Sequence, residues 1–294
     1  MIGLARERSF QNAVRKAARS AGNEVNKGFA FVERNWYLTK RYWAWELVWI
    51  TYNVVNALSV TFIAPSAQAA SGGTLSNQAT NNLILYLAIG TAIWTFLSVV
   101  FDNVTEMVTM ERWEGTIEYT FMAPVSRLTH MFGACMFALF HGIILTALQL
   151  LIMVLFFHLD IANANWPLAL LILIVGSFSF IGFGTMAAVL PMLYTERGAQ
   201  MAYIIRAIIL LVSGVYYSVS VLPGFLQALS VISPATYVLR GIRGALMPQA
   251  TPYNAWGDIW PLLICAAVSI PVGQFIFHLA ERYAKRTGKL KRNG

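Results

Sequence analysis

A chain of 294 residues that is 57% hydrophobic and only 12% charged is too apolar for a soluble fold and is typical of a membrane protein. Its 21 lysines and arginines exceed its 13 acidic residues, but they cluster before Tyr42 and after Ala280, as in tails that face cytosol and anionic lipid, which argues against a nucleic-acid partner. Cys135 and Cys265 lie in different apolar segments without metal-ligand spacing, so no metal site or redox compartment is indicated.

The apolar segments predict an all-α polytopic membrane protein with six transmembrane helices. Residues 1–44 are expected to form a basic cytosolic tail and an N-terminal interfacial helix, and residues 281–294 a second basic cytosolic tail. Between them, residues 45–280 form the transmembrane domain, with short re-entrant or outer helices before the sixth span. Each span has about 20 residues or more, enough for a helix to cross the roughly 30 Å core of a bilayer. The predicted spans are 45–64, 83–107, 131–157, 167–193, 201–222 and 259–280.

The segment ahead of the first span is predicted to lie on the membrane surface. Residues 2–20 are either a weak amphipathic helix or a disordered basic tail. From 24 to 42, Phe29, Val32 and Trp36 share one helical face, while charged residues take the remainder. This pattern indicates a helix along the inner leaflet.

Three spans carry polar residues at helical spacing. In the first span such residues occupy one flank, which is expected to contact protein because polar groups are costly against lipid; they are Glu46, Asn53 and Asn56. The second span carries a polar stripe formed by Thr91, Thr95, Ser98 and Asp102. The fifth span carries another, formed by Arg206, Ser213, Tyr217 and Ser220. Each stripe is expected to face a water-filled pathway or another helix.

The segment from 223 to 258 is predicted not to cross the membrane as one helix, because four prolines interrupt it. It contains a short helix with Ser233 as N-cap, Pro234 in the first turn and Gly244 near the end. Arg240 and Arg243 share one side of this helix, where they meet either anionic headgroups or an anionic substrate. The sixth span is expected to bend at Pro271.

The loop between the second and third spans is the most distinctive part of the chain. It reads ERWEGTIEYTFMAPVSR from Glu111 to Arg127. Three carboxylates, Glu111, Glu114 and Glu118, are spaced i, i+3 and i+7, so they share one face if the segment is a single helix. Gly115 relieves the backbone within the segment.

This loop resembles the coupling segment of the type-2 class of ATP-binding-cassette exporter permeases. The resemblance rests on Glu111, Arg112, Glu114, Gly115, Thr116, Glu118, Pro124, Ser126 and Arg127, with weaker support from Ser233 to Tyr237. It implies that residues 108–130 are the coupling loop, and that Glu111, Arg112, Glu114, Gly115, Thr116 and Glu118 contact the ATPase. It also implies that the stripes on the second and fifth spans border the translocation pathway.

The resemblance further implies a permease half of an ATP-driven exporter, paired with a second permease copy in a homodimer or heterodimer. The chain has no G-x-x-x-x-G-K-[ST] motif, so a separate ATPase subunit is expected to hold ATP and Mg, and this chain no cofactor. The substrate class stays open among drugs, lipids and glycan-like molecules. No catalytic residue is assigned. The alternative is an ion-coupled carrier or an integral membrane enzyme that uses Asp102, Glu106 and Glu46.

The histidines His141 and His278 are each without a second ligand at metal spacing, which favours hydrogen bonding within the helix bundle.

The distribution of basic residues predicts that the protein lies in the inner, cytoplasmic membrane with both termini in the cytosol.

This topology predicts that Glu114 is cytosolic and Gly73 external. Single cysteines at these positions, in a chain without Cys135 and Cys265, should react with an impermeant thiol reagent from opposite sides of the membrane. Labelling of both from one side would contradict six spans.

Overall fold

The computed structural model describes residues 26–122, 127–159, 161, 164–194, 197–247 and 253–287, and all regular elements within these ranges are helical. The all-α fold predicted from the sequence is therefore confirmed. The helices in chain order are α1 (26–41), α2 (Trp43–Thr61), α3 (Ile63–Ala70), α4 (Asn77–Thr105), α5 (Met107–Trp113), α6 (Ile117–Met122), α7 (Arg127–Phe157), α8 (Trp166–Ala187), α9 (Val189–Leu193), α10 (Gly198–Ser213), α11 (Gly224–Ile232), α12 (Pro234–Leu246) and α13 (Trp256–Thr287). The predicted tails at 2–20 and 288–294 lie outside the described residues.

The architecture is that of a polytopic membrane protein. The segments long and apolar enough to cross a membrane are Trp43–Ala70, Asn77–Thr105, Thr129–Phe157, Trp166–Leu193 and Trp256–Thr287. The pair α11 and α12 is apolar enough as well, but it bends by 81° at its break. Such a bend is expected of a re-entrant hairpin, in agreement with the predicted interruption between 223 and 258.

The first two spans differ from their predicted limits. Residues 63–70 form α3, and α4 begins at Asn77, so the outer loop between them is only 71–76. Pro65 is tolerated because it lies in the first turn of α3, where the backbone needs no N–H donor. The hydroxyl of Ser76 accepts a hydrogen bond from the N–H of Ala79 at 3.1 Å and so fixes the start of α4.

The fifth predicted span is wrong at its outer end. Its helix α10 ends at Ser213, where Gly214 follows in the left-handed conformation with φ 72°. The 16 residues of α10 extend about 24 Å, less than the core of a bilayer. Tyr217 and Ser220 therefore do not continue the helical stripe of Arg206 and Ser213, since they lie beyond the end of the helix.

The centre of the bundle is α4, which packs against α2, α7, α8, α10 and α12. Three of its side chains, Phe96, Leu97 and Phe101, are fully buried. The closest packing elsewhere joins α8 to α13, which is one helix despite Pro261 and Pro271.

Packing between α8 and α13 depends on Gly182. A Cβ atom at this position would overlap the Ser269 hydroxyl and lie 2.6 Å from the Ser269 Cβ and carbonyl carbon. Because those backbone atoms belong to a helix, the two helices would have to separate.

We expect Gly182→Ala to destabilise the folded chain by about 1–3 kcal/mol through overpacking. Gly257→Ala is the control, because a Cβ at Gly257 meets nothing within 4 Å. The measurement is thermal unfolding in detergent, and equal melting temperatures for the two variants would refute the close contact.

Candidate coupling site

The loop between α4 and α7 is divided by a turn at Gly115. This residue has φ 72°, which favours glycine because other residues are strained there. The N–H of Gly115 donates to the carbonyl of Arg112 at 3.1 Å, and the N–H of Thr116 donates to the carbonyl of Glu111 at 2.9 Å. These two bonds form a Schellman motif, which satisfies the last carbonyls of α5 and ends the helix.

The prediction that Glu111, Glu114 and Glu118 form one helical face is therefore wrong. Glu111 lies within α5 and is only 2% exposed, whereas Glu114 is the C-cap residue. Glu118 belongs to α6, beyond the turn, and its side chain lies outside the described residues, as do Pro124 and Ser126.

The carboxylate of Glu111 joins three helices. Its Oε1 accepts a hydrogen bond from Nη1 of Arg34, on α1, at 3.1 Å. Nε2 of His130, on α7, lies 2.9 Å from the same oxygen. The second guanidinium nitrogen of Arg34 donates to the hydroxyl of Thr116 at 2.9 Å, so one arginine spans both sides of the turn. A buried charge requires such partners, and Glu111 is therefore a structural residue of the loop rather than part of an exposed docking face.

A second contact with the interfacial segment is made by Glu114. The hydroxyl of Tyr42 donates to Oε1 of Glu114 at 2.8 Å, and the hydrogen bond raises the pKa of Tyr42 above its ordinary value. Arg41 lies 4.0 Å from the other carboxylate oxygen, and it is largely exposed. The rings of Tyr42 and Trp113 are 5.2 Å apart. The end of α1 is thus held against the end of α5.

Arg112 points the other way, towards the break after α9. Its Nη1 donates to the carbonyl of Pro191 at 3.2 Å, and its Nη2 donates to the carbonyl of Met192 at 2.8 Å. Burial lowers the pKa of Arg112. These carbonyls lie in the last turn of α9, where intrahelical donors are lacking. Arg112 therefore joins α5 to the inner end of the fourth span.

Among the loop side chains that the structure describes, the most exposed are apolar or aromatic, which was not predicted from the sequence. Trp113 is 62% exposed, Tyr119 74% and Met122 73%. Tyr119 and Met122 are spaced i, i+3 on α6 and so lie on one side of that helix. The signal was present in the sequence, because large apolar residues in a charged loop outside the spans have no core of their own to fill.

The inner ends of α4 and α10 are joined by two polar pairs. Asp102 forms a salt bridge with Arg206. One turn further along α4, Glu106 accepts a hydrogen bond from the hydroxyl of Tyr203 at 2.6 Å. The guanidinium of Arg206 lies 4.9 Å from the centre of the Tyr203 ring. Two of the three carboxylates considered for a carrier or enzyme, Asp102 and Glu106, thus have a partner on α10, and Glu46 lies near His141 of α7.

The remaining residues of the two predicted stripes are distributed differently. Thr91 and Thr95 are buried between helices. Ser98 is partly buried, and Ser213 lies 3.1 Å, hydroxyl to hydroxyl, from Ser233 at the start of α12. The apolar side of α4 is buried as well, so burial does not distinguish its two faces. A role of either stripe in a pathway stays a prediction.

The last two residues of the predicted fifth-span stripe, Tyr217 and Ser220, lie beyond the end of α10 and form local contacts. Tyr217 donates to the carbonyl of Leu211 at 2.6 Å, and the hydroxyl of Ser220 lies 2.8 Å from that of Ser218.

The two arginines of α12 have protein partners. Arg243 donates to the carbonyls of Gly214 at 2.8 Å and Val215 at 2.6 Å, just after the end of α10. Its guanidinium also lies 3.4 Å from the centre of the Tyr86 ring. Arg240 forms a salt bridge with Asp258 at the start of α13. These contacts hold α12 to α4, α10 and α13.

The histidines follow the hydrogen-bonding interpretation in part. Nε2 of His141, on α7, lies 3.4 Å from Oε2 of Glu46, on α2. Nδ1 of His278 lies 3.9 Å from Glu281 one turn along α13. Within the described ranges, no group of three or more histidine, cysteine or acidic side chains has a geometry that could hold a metal ion.

Comparison with known proteins identifies the family of the chain. Residues 29–247 match the family model described as ABC-2 type transporter. The chain is 22% identical over 219 residues to the inner membrane transport permease YadH of Escherichia coli K12, covering 71% of this chain and 82% of that protein. The protein of the same name from Shigella flexneri gives the same identity and coverage.

The burial of Glu111 generates a prediction for stability. Glu111→Ala would leave Arg34 and His130 without their shared acceptor, at an expected cost on the order of 1–3 kcal/mol. Glu33→Ala is the matched control, since Glu33 is exposed on α1. Thermal unfolding of both variants in detergent measures the difference, and a loss no larger for Glu111→Ala than for Glu33→Ala would contradict the structural role.

Proposed function

Because the chain belongs to the family of ABC-2 type transporters, we propose that it is the permease half of an ATP-driven exporter. In this proposal two permease copies work with separate ATPase subunits that hold ATP and Mg. The protein lies in the inner, cytoplasmic membrane with both termini cytosolic. Membership of the family, together with relatives named as transport permeases, favours a transporter subunit over an enzyme.

The observation that carries the proposal is the division of the loop into a buried ionic base and an exposed apolar tip. At the base, Glu111 and Arg112 connect α5 to α1, α7 and α9. At the tip, Tyr119 and Met122 have no core to enter. A tip of this kind fits a groove on another protein, because aromatic residues and methionine are enriched in the centres of interfaces.

Force applied at α6 would reach the membrane helices through these contacts. The break between α4 and α5 is a single residue, Glu106, so displacement of α5 would tilt the inner end of α4. Arg112 would carry the same displacement to α9, and Arg34 would carry it to α1. ATPase closure would thereby change the distance between α4 and α10, which is bridged by Asp102 and Arg206.

The proposed pathway runs beside this pair, between the second and fifth spans. Separation of α4 from α10 would break the contact of Asp102 with Arg206 and that of Glu106 with Tyr203. Polar groups would then be exposed to the cytosol. Re-formation of the pair would close that side. Drug, lipid and glycan-like substrates are all compatible with this scheme.

The test is partner retention after truncation of the apolar tip. Tyr119→Ala with Met122→Ala should insert normally but lose about tenfold or more of the ATPase that copurifies with the tagged permease, because interface centres dominate binding. Export should fall in parallel.

The matched control is Leu75→Ala with Trp256→Ala, since both side chains are exposed and apolar but lie away from the loop, Leu75 just before α4 and Trp256 at the start of α13. Full ATPase retention in the α6 variant would overturn the docking role of this tip. Equal loss in both variants would indicate general damage and would also count against it.

A further inference from the structure

The first span meets the second and third through polar side chains as well as apolar ones. On α2, Glu46 and Asn53 are two turns apart, and on α7 His141 and Gln149 are eight residues apart. Both helices run in the same direction across the membrane in the proposed topology, so these residues form successive polar levels along one seam. At the first level Glu46 and His141 lie 3.4 Å apart.

At the second level a small cavity, and not a direct hydrogen bond, lies between the helices. It is lined by Ile50, Asn53, Val54, Thr95, Leu145 and Gln149 and measures about 10 Å³. A cavity needs roughly 10–15 Å³ to hold one water molecule, so this space is about the size of one water.

The side-chain amide of Gln149 makes this cavity polar. Its side chain is 2% exposed, and among the described residues neither its amide nitrogen nor its amide oxygen has a hydrogen-bond partner. A buried amide without partners is costly, and more so within a bilayer, where no bulk water is near. The amide group offers both donors and an acceptor to the cavity, and Asn53 and Thr95 contribute further donors and acceptors from the other two helices.

We propose that a single buried water molecule binds in this cavity and bridges Gln149 on α7 to Asn53 on α2 and Thr95 on α4. Buried waters typically form about three hydrogen bonds with otherwise unsatisfied polar groups, and three polar side chains line this site. The water joins α2 to the bundle without a direct bond between side chains. The first span, which is buried over little of its length, is thus linked to the other helices in part by exchangeable hydrogen bonds.

The sign of a stability change tests the site. Gln149→Met keeps the length of the side chain but removes the amide. If water satisfies the amide, this change removes its hydrogen bonds and lowers the melting temperature of the full chain in lipid nanodiscs by about 3–8 °C. If the amide has no partner, its removal relieves a buried polar group, and the melting temperature rises. A rise or no change would overturn the proposal.

The packing component is measured by Leu145→Met, an apolar substitution on the same cavity wall. We expect it to shift the melting temperature by less than half as much. An equal fall in Leu145→Met and Gln149→Met would assign the effect to packing and overturn the water site. The double variant of Asn53→Leu and Gln149→Met should lose less than the sum of the single losses, because either change removes the bridge; strict additivity would count against it.

The native chain provides a second measurement that does not depend on any variant folding. Brief X-ray radiolysis generates hydroxyl radicals from bound water, and these oxidise the nearest side chains. In nanodiscs we expect oxidation at Leu145, beside the cavity, and none at Leu151, which is exposed on the lipid side of α7. Absence of oxidation at Leu145 would overturn the proposal.

Discussion

The inner part of the molecule depends on one buried carboxylate. Glu111 accepts from Arg34 and lies within hydrogen-bond distance of His130, so helices that precede and follow the second span are joined at a single oxygen atom. A surface ion pair stabilises a protein little, but a buried charge must keep its partners, because the loss of one leaves the other groups desolvated and uncompensated. Helix α1, the loop and the third span are therefore joined at this end.

The outer part depends on the satisfaction of backbone groups. Transmembrane segments must pair their backbone polar groups within the protein, and α10 ends about 6 Å short of the bilayer core thickness. The carbonyls after its last turn are satisfied by Arg243, which reaches across from α12. Where hydropathy alone suggests one longer helix, the structure has the short helix α10, whose end is satisfied by an arginine of the bent pair α11 and α12.

Much of the fold could be predicted because its signals are local. Spans follow from apolar length, and the short helix after Ser233 follows from its N-cap and Pro234. Even the end of α10 had a local signal in Gly214, which was outweighed by the apolar residues around it. The partners of Glu111 had none, since Arg34 lies 77 residues away in the sequence and any of several basic residues on α1 would have matched equally well.

The same distinction explains the error at the candidate site. Spacing predicted that the loop carboxylates share a face, but a left-handed Gly115 changes the direction of the chain between them. Charge in the loop suggested that its carboxylates are exposed, whereas the most exposed of the loop side chains described are those of Trp113, Tyr119 and Met122. Burial depends on what packs against a segment, and that information lies in distant helices.

The position of Arg243 at the end of α10 also requires that a neighbouring residue of α4 be glycine. A helix carries a partial negative charge at its C-terminus, so the macrodipole of α10 complements the Arg243 guanidinium where no carboxylate faces it among the contacts described. The guanidinium reaches that position alongside Gly90 of α4, where any Cβ atom would overlap both the arginine and the carbonyl of Val215. The charge of Arg243 can therefore lie at the C-terminal end of α10 only because Gly90, on the second span, has no side chain.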